Sequence, residues 1–177
     1  MSHDAPERPP SVAPLPDWPA QCVVLLVGLP GAGKSSYLAR HHLPALSSDE
    51  LRRLLFDDPG DQRFPEAVFS ILRHALRARL GAGIARSFVD ATNLTPAERQ
   101  PLLAIAAEFG YPACALFFDL PLEVCLHRNA HRERCVPEDV VRRMAARLRP
   151  PQREEGFAHI DRISDERGAA LPFTGYQ

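Results

Sequence analysis

The sequence predicts a three-layer α/β fold, in which helices cover both faces of a central parallel sheet. Short apolar segments alternate along the chain with segments of helical periodicity, and no internal repeat is present. One segment, 112–119, is almost continuously apolar, as expected for a strand that is covered on both faces. Alternating strands and helices favour parallel pairing through right-handed crossovers, so we expect a single main sheet.

Residues 28–35, Gly-Leu-Pro-Gly-Ala-Gly-Lys-Ser, match the phosphate-binding loop pattern G-x-x-x-x-G-K-[ST] at every fixed position. They follow an apolar, β-branched segment, 22–27, which predicts a buried strand, and a helix is predicted after them as far as about residue 40. Glycine lets consecutive N–H groups point at phosphate oxygens, and the helix N-terminus adds more. The loop therefore predicts binding of ATP or another nucleoside triphosphate. The residues predicted to bind it are Gly28, Pro30, Gly31, Ala32, Gly33, Lys34, Ser35 and Ser36.

Lys34 is the only lysine in the chain, and every other fixed positive side chain is an arginine. In such loops the lysine is a mobile point charge for the β- and γ-phosphates, a task for which the planar guanidinium is poorly suited. The hydroxyl of the next residue, Ser35, is a suitable oxygen ligand for Mg²⁺. We therefore predict Lys34 as a catalytic residue and Ser35 as the metal ligand.

The remaining elements are predicted from periodicity, capping signals and the positions of proline. Ser47 and Glu50 have the spacing of a capping box, and Thr95, Pro96 and Glu98 form a second helix start. The predicted strands are 43–47, one that ends at 87–90, 112–119 and an edge strand at 157–164. The predicted helices begin at 47–50 and 95–98 and span 65–80, 121–129 and 137–149. The apolar face of the helix 65–80 is predicted from residues at helical spacing, which are Val68, Ile71, Leu72, Ala75, Leu76 and Leu80.

Composition limits the cellular locations and the binding partners that the sequence predicts. No run of about 18 apolar residues is present and the N-terminus is rich in proline, so neither a membrane span nor a secretory signal is predicted. The four cysteines show no C-x-x-C pairing, which indicates reduced core thiols in a cytoplasmic protein. The net charge of −1 gives no general support for nucleic-acid binding. Any such binding would have to rest on local arginine clusters.

Ligands of parallel α/β sheets bind beyond the carboxyl ends of the strands, where the sequence places Asp49, Asp90 and Asp119. Asp49 and Arg52 lie three residues apart on one helix face. A carboxylate there can accept a proton from an attacking hydroxyl, and the arginine can grip a phosphate of the acceptor. The alternative is structural: an acidic residue that favours the helix start and an ordinary i,i+3 ion pair.

Asp90 ends a strand and precedes Ala-Thr-Asn at 91–93. One interpretation is a carboxylate that reaches the metal or its water; the other is a turn stabilised by the Asp90 and Asn93 side chains. Arg99, one turn into the next helix, is predicted to point inward and to buttress Asp90. Asp119 is interpreted as a helix-start or loop residue.

Three arginines, Arg128, Arg132 and Arg134, lie in the connection between two predicted helices. Phosphoryl transfer needs positive charge over the moving phosphoryl group and exclusion of water. An arginine-rich helical lid would meet both needs, whereas the alternative interpretation is a solvated charge cluster.

Taken together, these motifs resemble those of the P-loop polynucleotide 5′-hydroxyl kinases, AAA-type small P-loop kinases that include phage end-healing enzymes and bacterial RNA-repair kinases. The resemblance runs from Val23 to about Phe157. It rests on the phosphate loop, Asp49-x-x-Arg52, Val-Asp-Ala-Thr-Asn-Leu at 89–94, Arg128-Asn129-x-x-Arg132 and Val136-Pro137.

The resemblance implies a three-layer P-loop phosphotransferase with a lid, and it implies roles for its motif residues. Asp49 is expected to be the general base for the 5′-hydroxyl, and Arg52 to hold the phosphate of the terminal nucleotide. Arg132 is expected at the transferring phosphoryl group with Arg128 in support, and Asp90 is expected to organise the site. The residues expected to touch the acceptor are Asp49, Arg52, Asp90 and Asn93.

The expected function is therefore ATP-dependent transfer of the γ-phosphate to 5′-hydroxyl ends of RNA or DNA. Residues 21–165 would form the kinase domain. A flexible or extended arm, 1–20, would precede it, with Trp18 of the arm packed against the domain. A tail, 166–177, would follow it. The chain is too short for an added repair domain, so separate repair proteins are possible partners. An open groove lined by Arg52 and Arg53 would suit a polynucleotide. Arg73 or Arg77, spaced i,i+4 on one helix, would extend that lining, and the alternative for these two is a solvated helix face. The alternatives are a small-molecule kinase for a sugar, antibiotic or shikimate-like acceptor, with a closed pocket, and a non-catalytic nucleotide switch.

Overall fold

A computed structural model of the chain describes residues 15–132 and 134–164. Its five strands form one sheet in the order β2-β3-β1-β4-β5, and every neighbouring pair is parallel. The strands are β1 Cys22–Val27, β2 Ala45–Ser47, β3 Arg86–Asp90, β4 Ala113–Phe118 and β5 Phe157–Ile163. The predicted α/β fold with a central parallel sheet is confirmed, and the strand with the phosphate-binding loop lies at its centre.

The helices follow the predicted order. They are α1 Lys34–Arg40, α2 Ser48–Phe56, α3 Pro65–Gly81, α4 Pro96–Glu108, α5 Leu122–Ala130 and α6 Glu138–Arg147, with a 3₁₀ turn at Arg153–Glu155. Both predicted helix starts are confirmed, since the side chain of Ser47 accepts from the N–H of Glu50 and that of Thr95 from the N–H of Glu98. The helix bounds thus place the loops at the carboxyl edge of the sheet as the sequence indicates.

Two predicted elements are too long by two residues at one end, and proline explains both. β2 begins at Ala45 rather than residue 43, because Pro44 has no N–H for the ladder. α6 ends at Arg147 rather than residue 149, because Pro150 disfavours helical geometry in the residue before it. Leu148 is extended, with φ −56° and ψ 127°, and the N–H of Arg149 donates to the carbonyl of Leu94.

The sheet separates two apolar cores, because side chains alternate along its strands. Val24 and Leu26 of β1 face one core, and Val23 and Leu25 face the other. Trp18 packs in the first core as predicted: its ring meets Phe88 edge-on at 5.8 Å and its Nε1 donates to Asp161 at 2.6 Å. The rest of the predicted arm, 1–14, and the predicted tail lie outside the described residues.

Two expectations about burial are wrong. Ile71, assigned to the buried face of α3, is exposed, because that face is formed by Val68, Leu72, Leu76 and Leu80. Cys135 is also exposed, whereas Cys22, Cys114 and Cys125 are buried, and all four are free thiols. Cys135 lies in the polar connection between α5 and α6 rather than in the core. Within the described ranges, no helix combines the length and apolar character needed to cross a bilayer.

Candidate active site

The phosphate-binding loop closes around Lys34. This residue begins α1 and is buried, and its Nζ donates to the carbonyls of Gly28 at 2.7 Å and Leu29 at 2.9 Å. Burial lowers the pKa of Lys34 to about 8, while the carboxylate of Asp90 acts in the opposite direction. The ammonium is therefore held inside the loop by the backbone, next to a carboxylate.

Gly31 is required by packing as well as by backbone geometry. Its φ is +81°, and a Cβ at this position would lie 2.2 Å from the carbonyl oxygen of Cys125 and 3.1 Å from the N atom of Asn129. Helix α5, which carries Arg128, thus lies directly against the loop. The sequence assigned Gly31 only to phosphate contact, and the structure adds that it seats the helix that leads into the lid.

Ser35 and Asp90 lie beside the phosphate-binding loop. Together with Lys34 they form what we call the donor side, the part of the site expected to bind the nucleoside triphosphate. β3 pairs with β1 so that Asp90 lies opposite Leu26, and the Ser35 hydroxyl donates to Oδ2 of Asp90 at 2.9 Å. Burial raises the pKa of Asp90, and the neighbouring Lys34 ammonium opposes that rise. A hydroxyl and a carboxylate are the oxygen ligands that Mg²⁺ prefers, so the residues present fit that ion.

The loop after β3 is fixed from inside the fold. Asn93 has a left-handed φ of +48° and is buried, with its Nδ2 donating to the carbonyl of Leu26 at 2.7 Å. Its amide therefore ties the end of β1 to the loop, while Asp90 remains beside the phosphate-binding loop.

Arg99 points inward as predicted, but its expected partner is wrong. The side chain is fully buried and donates to both carboxylate oxygens of Glu155 at 2.7 Å. Its Nη1 donates to the carbonyls of Asn93 at 2.9 Å and Arg149 at 3.0 Å. It thus supports the loop that follows Asp90 rather than the carboxylate itself, because Glu155 on the distant 3₁₀ turn competes for the guanidinium.

Asp49 lies in the first turn of α2 with both carboxylate oxygens engaged. Oδ1 accepts from Nη1 of Arg52 at 3.0 Å, and Oδ2 lies 2.6 Å from Nη1 of Arg134. The Asp49 side chain is 46% exposed and that of Arg52 only 7%, and burial lowers the pKa of Arg52. The Nε atom of Arg52 is buried and has no hydrogen-bond partner among the described residues. The two residues are thus brought together as predicted, with an arginine that the sequence did not assign to Asp49.

The charged groups of the phosphate-binding loop and those around Asp49 influence one another. The charges of Asp49 and Arg132 act on both Lys34 and Asp90, so these four groups lie near one another. Arg132 is exposed in the connection after α5, whereas Arg128 is half-buried in the last turn of that helix. Asp49 and Arg132 therefore lie within range of the charges of Lys34 and Asp90, near the carboxyl ends of β1 and β3.

Asn129 holds the connection between α5 and α6, a structural role that the sequence did not indicate. It is buried, and its Nδ2 donates to the carbonyl of Val136 at 2.7 Å while its Oδ1 accepts from the N–H of Val136 at 3.1 Å. This pair of hydrogen bonds closes the connection that carries Arg132 and Arg134. The only signal in the sequence was an asparagine beside Arg128, which does not reveal a partner seven positions away.

The remaining predicted site residues either belong to the phosphate-binding loop and the start of α1 or form ion pairs elsewhere. Pro30 and Ala32 are buried in the loop, and Ser36 is exposed in the first turn of α1. Arg53 and Arg77, expected to line a groove, form ion pairs with Glu50 and with Glu108 of α4. Asp119 pairs with Arg162 of the edge strand β5, which agrees with its interpretation as a loop residue.

Comparison with known proteins places these features in a family context. A family model described as AAA domain matches residues 23–151. The chain is 24% identical over 135 residues to the L-seryl-tRNA(Sec) kinase of Methanococcus maripaludis, a match that covers 73% of this chain and 53% of that protein. It is 33% identical over 57 residues to the human L-seryl-tRNA(Sec) kinase, which covers 32% of this chain and 16% of that protein. The chain thus spans about half, or less, of the length of these curated relatives.

Solved structures share the fold. A protein from Chloroflexus aurantiacus superposes with a TM-score of 0.62 at 14% identity, over 82% of this chain and 89% of that one. A Pnkp1/Rnl/Hen1 complex gives 0.54 at 25% identity, over 66% of this chain and 41% of that one. The Mycobacterium tuberculosis APS kinase CysC, in complex with AMPPNP and APS, gives 0.52 at 25% identity, over 84% and 91%. Sheet, loop and lid are therefore those of the P-loop kinase fold.

Proposed function

The chain belongs to the AAA domain family, and from that premise we propose that it is an ATP-dependent polynucleotide 5′-hydroxyl kinase. Residues 21–165 form its kinase domain, which transfers the γ-phosphate of ATP to 5′-hydroxyl ends of RNA or DNA. The observation that carries the proposal is the position of Asp49, a half-exposed carboxylate that is close enough to Lys34 and Asp90 for their charges to interact. A base for the acceptor hydroxyl is needed at such a place.

The reaction divides among residues of this chain. The 5′-oxygen of the acceptor forms a bond to the γ-phosphorus, the bond from that phosphorus to the β–γ bridging oxygen breaks, and ADP leaves. The hydroxyl proton goes to Asp49, while Lys34 and Arg132 stabilise charge on the moving phosphoryl group. Ser35 and Asp90 would hold Mg²⁺, which supplies further neutralisation of phosphate charge when it is bound.

The segment from Phe56 to Phe64, which Arg134 links to Asp49, suits a nucleic acid as acceptor. Phe64 is 51% exposed, its ring lies 5.4 Å from that of Phe56, and the guanidinium of Arg63 lies 5.5 Å from the Phe64 ring centre. The loop between the two phenylalanines approaches Arg134, because a Cβ built at Gly60 would lie 3.5 Å from its Nε atom. An exposed aromatic beside an arginine is a stacking surface for an unpaired base. The similarity to Pnkp1, also solved in an RNA repair complex, points to the same acceptor class.

The direct test offers γ-labelled ATP with Mg²⁺ to a 5′-hydroxyl oligoribonucleotide and to the matching oligodeoxyribonucleotide. The same oligonucleotides with a 5′-phosphate are the controls. We expect label on 5′-hydroxyl ends and none on 5′-phosphate ends. The proposal fails if folded protein that binds ATP labels neither 5′-hydroxyl end.

A second candidate is phosphorylation of a seryl group carried on a tRNA. The specific observation is the 135-residue match to the L-seryl-tRNA(Sec) kinase of M. maripaludis, which spans most of this chain. In that reaction Asp49 would take the proton from a serine hydroxyl rather than a ribose hydroxyl. Seryl-tRNA is therefore added to the assay as a separate acceptor, with uncharged tRNA as its control, and label on seryl-tRNA alone would favour this candidate. Adenosine phosphosulfate is included because of the similarity to APS kinase.

A further inference from the structure

Each oxygen of the Asp49 carboxylate is already paired with an arginine. Arg52 holds Oδ1 and Arg134 holds Oδ2. A carboxylate that serves as a base must be within hydrogen-bond distance of the proton that it takes. An acceptor hydroxyl therefore has to compete with these two guanidinium groups for the carboxylate.

The burial of the two arginines indicates which of them is displaced more readily from Asp49. Arg52 belongs to the same helix as Asp49, and its side chain is only 7% exposed, so helix geometry and packing fix it. Arg134 comes from the connection between α5 and α6, and its side chain is 30% exposed. Besides Asp49, its Nε atom lies 3.5 Å from the position that a Cβ on Gly60 would occupy, in the loop that leads to Phe64. Arg134 therefore links Asp49 to that loop.

We propose that Arg134 is a specificity-determining residue of the acceptor site, which joins Arg52 in binding the phosphate next to the reacting hydroxyl and rests on Asp49 only while that phosphate is absent. This inference rests on the proposed function. A phosphate accepts a bidentate, charge-assisted pair from a guanidinium, so an acceptor with a phosphate near its hydroxyl draws Arg134 off Oδ2. The freed oxygen then takes the hydroxyl proton. An acceptor without that phosphate has to compete with Arg134 for the carboxylate.

The first test uses water as the acceptor and needs no nucleic acid. In the Arg134→Ala variant, Oδ2 is free to take a proton from water whose oxygen attacks the γ-phosphorus, and ADP and phosphate are released. We expect acceptor-free hydrolysis of ATP to rise about tenfold, in line with the loss of one charge-assisted hydrogen bond. The double variant with Asp49→Asn should fall back to the rate of Asp49→Asn alone. The control Arg143→Ala removes an exposed arginine that pairs with Asp139 on α6, and it should leave the rate unchanged.

The second test compares a nucleoside with its 3′-monophosphate as the 5′-hydroxyl acceptor. We expect the full chain to prefer the 3′-monophosphate in kcat/KM, and Arg134→Ala to lose about tenfold of that preference, mainly through KM. Arg134→Lys keeps the charge without the planar fork, so its preference should lie between the two. A merely structural role for Arg134 would lower activity on both acceptors equally.

The outcomes separate the two proposals. If Arg134→Ala neither raises hydrolysis nor reduces the preference for the 3′-monophosphate, while its melting temperature and ATP affinity match those of the unsubstituted chain, the role of Arg134 is overturned. If Arg134→Ala is unstable, Arg134→Lys replaces it: a reduced preference supports the role, and an unchanged preference overturns it. The unsubstituted chain could label no 5′-hydroxyl end while Arg134→Ala gains Asp49-dependent hydrolysis. That result would contradict only the polynucleotide acceptor and not the contact of Arg134 with Asp49.

Discussion

The donor side of the candidate site consists of Lys34, Ser35 and Asp90, and its acceptor side consists of Asp49, Arg52 and Arg134. The two sides differ in how their side chains are held. Lys34, Ser35 and Asp90 make their contacts within the phosphate-binding loop and the strand beside β1, and the ammonium of Lys34 is buried. Asp49 is half-exposed, and one of its two partners, Arg134, comes from the lid connection. The contacts of the donor side thus come from the loop and its neighbouring strand, whereas in the proposed mechanism an acceptor competes with Arg134 for Asp49.

This difference gives a physical reason for the split between shared and variable function in relatives of the fold. A loop whose geometry is fixed by its own backbone accepts the same triphosphate in every context. A carboxylate surrounded by side chains from separate segments can serve different hydroxyl acceptors as those segments change. The names of the relatives, a seryl-tRNA kinase and an APS kinase among them, agree with this division.

The largest expected effect separates the two sides directly. Asp49→Asn removes the base but preserves shape, so transfer to a 5′-hydroxyl should fall by about a thousandfold, whereas affinity for ATP should not change. Label transfer and fluorescent-ATP binding measure the two effects. Asp139→Asn is the matched control, because Asp139 also lies in the first turn of a helix and pairs with an arginine, Arg143. Equal losses of transfer and ATP binding would mean that the two sides are not separable.

The next effect concerns how the loop and the lid helix are joined. Gly31→Ala would place a methyl group against the Cys125 carbonyl at a left-handed φ, and we expect the free energy of unfolding to fall by about 3 kcal/mol. Gly83→Ala is the control, because Gly83 also has a positive φ, +75°, but has open space around it. Its cost should be about 1 kcal/mol, from backbone strain alone. Urea unfolding measures both, and equal losses would remove the proposed contact between loop and α5.

Most of the fold was predictable because its signals are local. The apolar run of β1, the glycine loop and the capping residues Ser47 and Thr95 each act within a few positions of the chain, and the structure confirms the elements that they predict. The rule that ligands bind beyond strand ends placed Asp90 beside the loop correctly. Local pattern also explains why Ile71 was misassigned, since helical spacing does not show where the edge of a buried face lies.

The missed features all depend on partners far apart in the chain. Arg99 was expected to support Asp90, but Glu155 and two backbone carbonyls hold it. Arg134 was one of three arginines in a cluster, and nothing in the spacing revealed that it pairs with Asp49 across the site. Side-chain pairing of this kind is decided by tertiary packing, which periodicity does not encode. The acceptor side is therefore the part of the site for which the sequence is least informative.

The smallest expected effect comes from the titration of Lys34, and it has opposite signs for folding and for binding. Because burial lowers the pKa of Lys34 to about 8 in the nucleotide-free protein, from an ordinary value of 10.5, the unfolded chain binds more protons between these two values. The Lys34 contribution to the free energy of unfolding therefore rises with pH across that window. A bound triphosphate favours the charged ammonium, so ATP binding takes up a proton above pH 8.

Affinity for ATP should thus fall by up to about tenfold per pH unit above pH 8. Calorimetric titrations in two buffers of different ionisation enthalpy measure the proton uptake directly. Lys34→Met is the control, since it binds ATP more weakly but should lose the dependence on pH. A flat affinity between pH 8 and 9.5 in the unsubstituted chain would mean that Lys34 is already charged without nucleotide. The contrast between the donor side and the acceptor side would then rest on the exchange of partners at Asp49 alone.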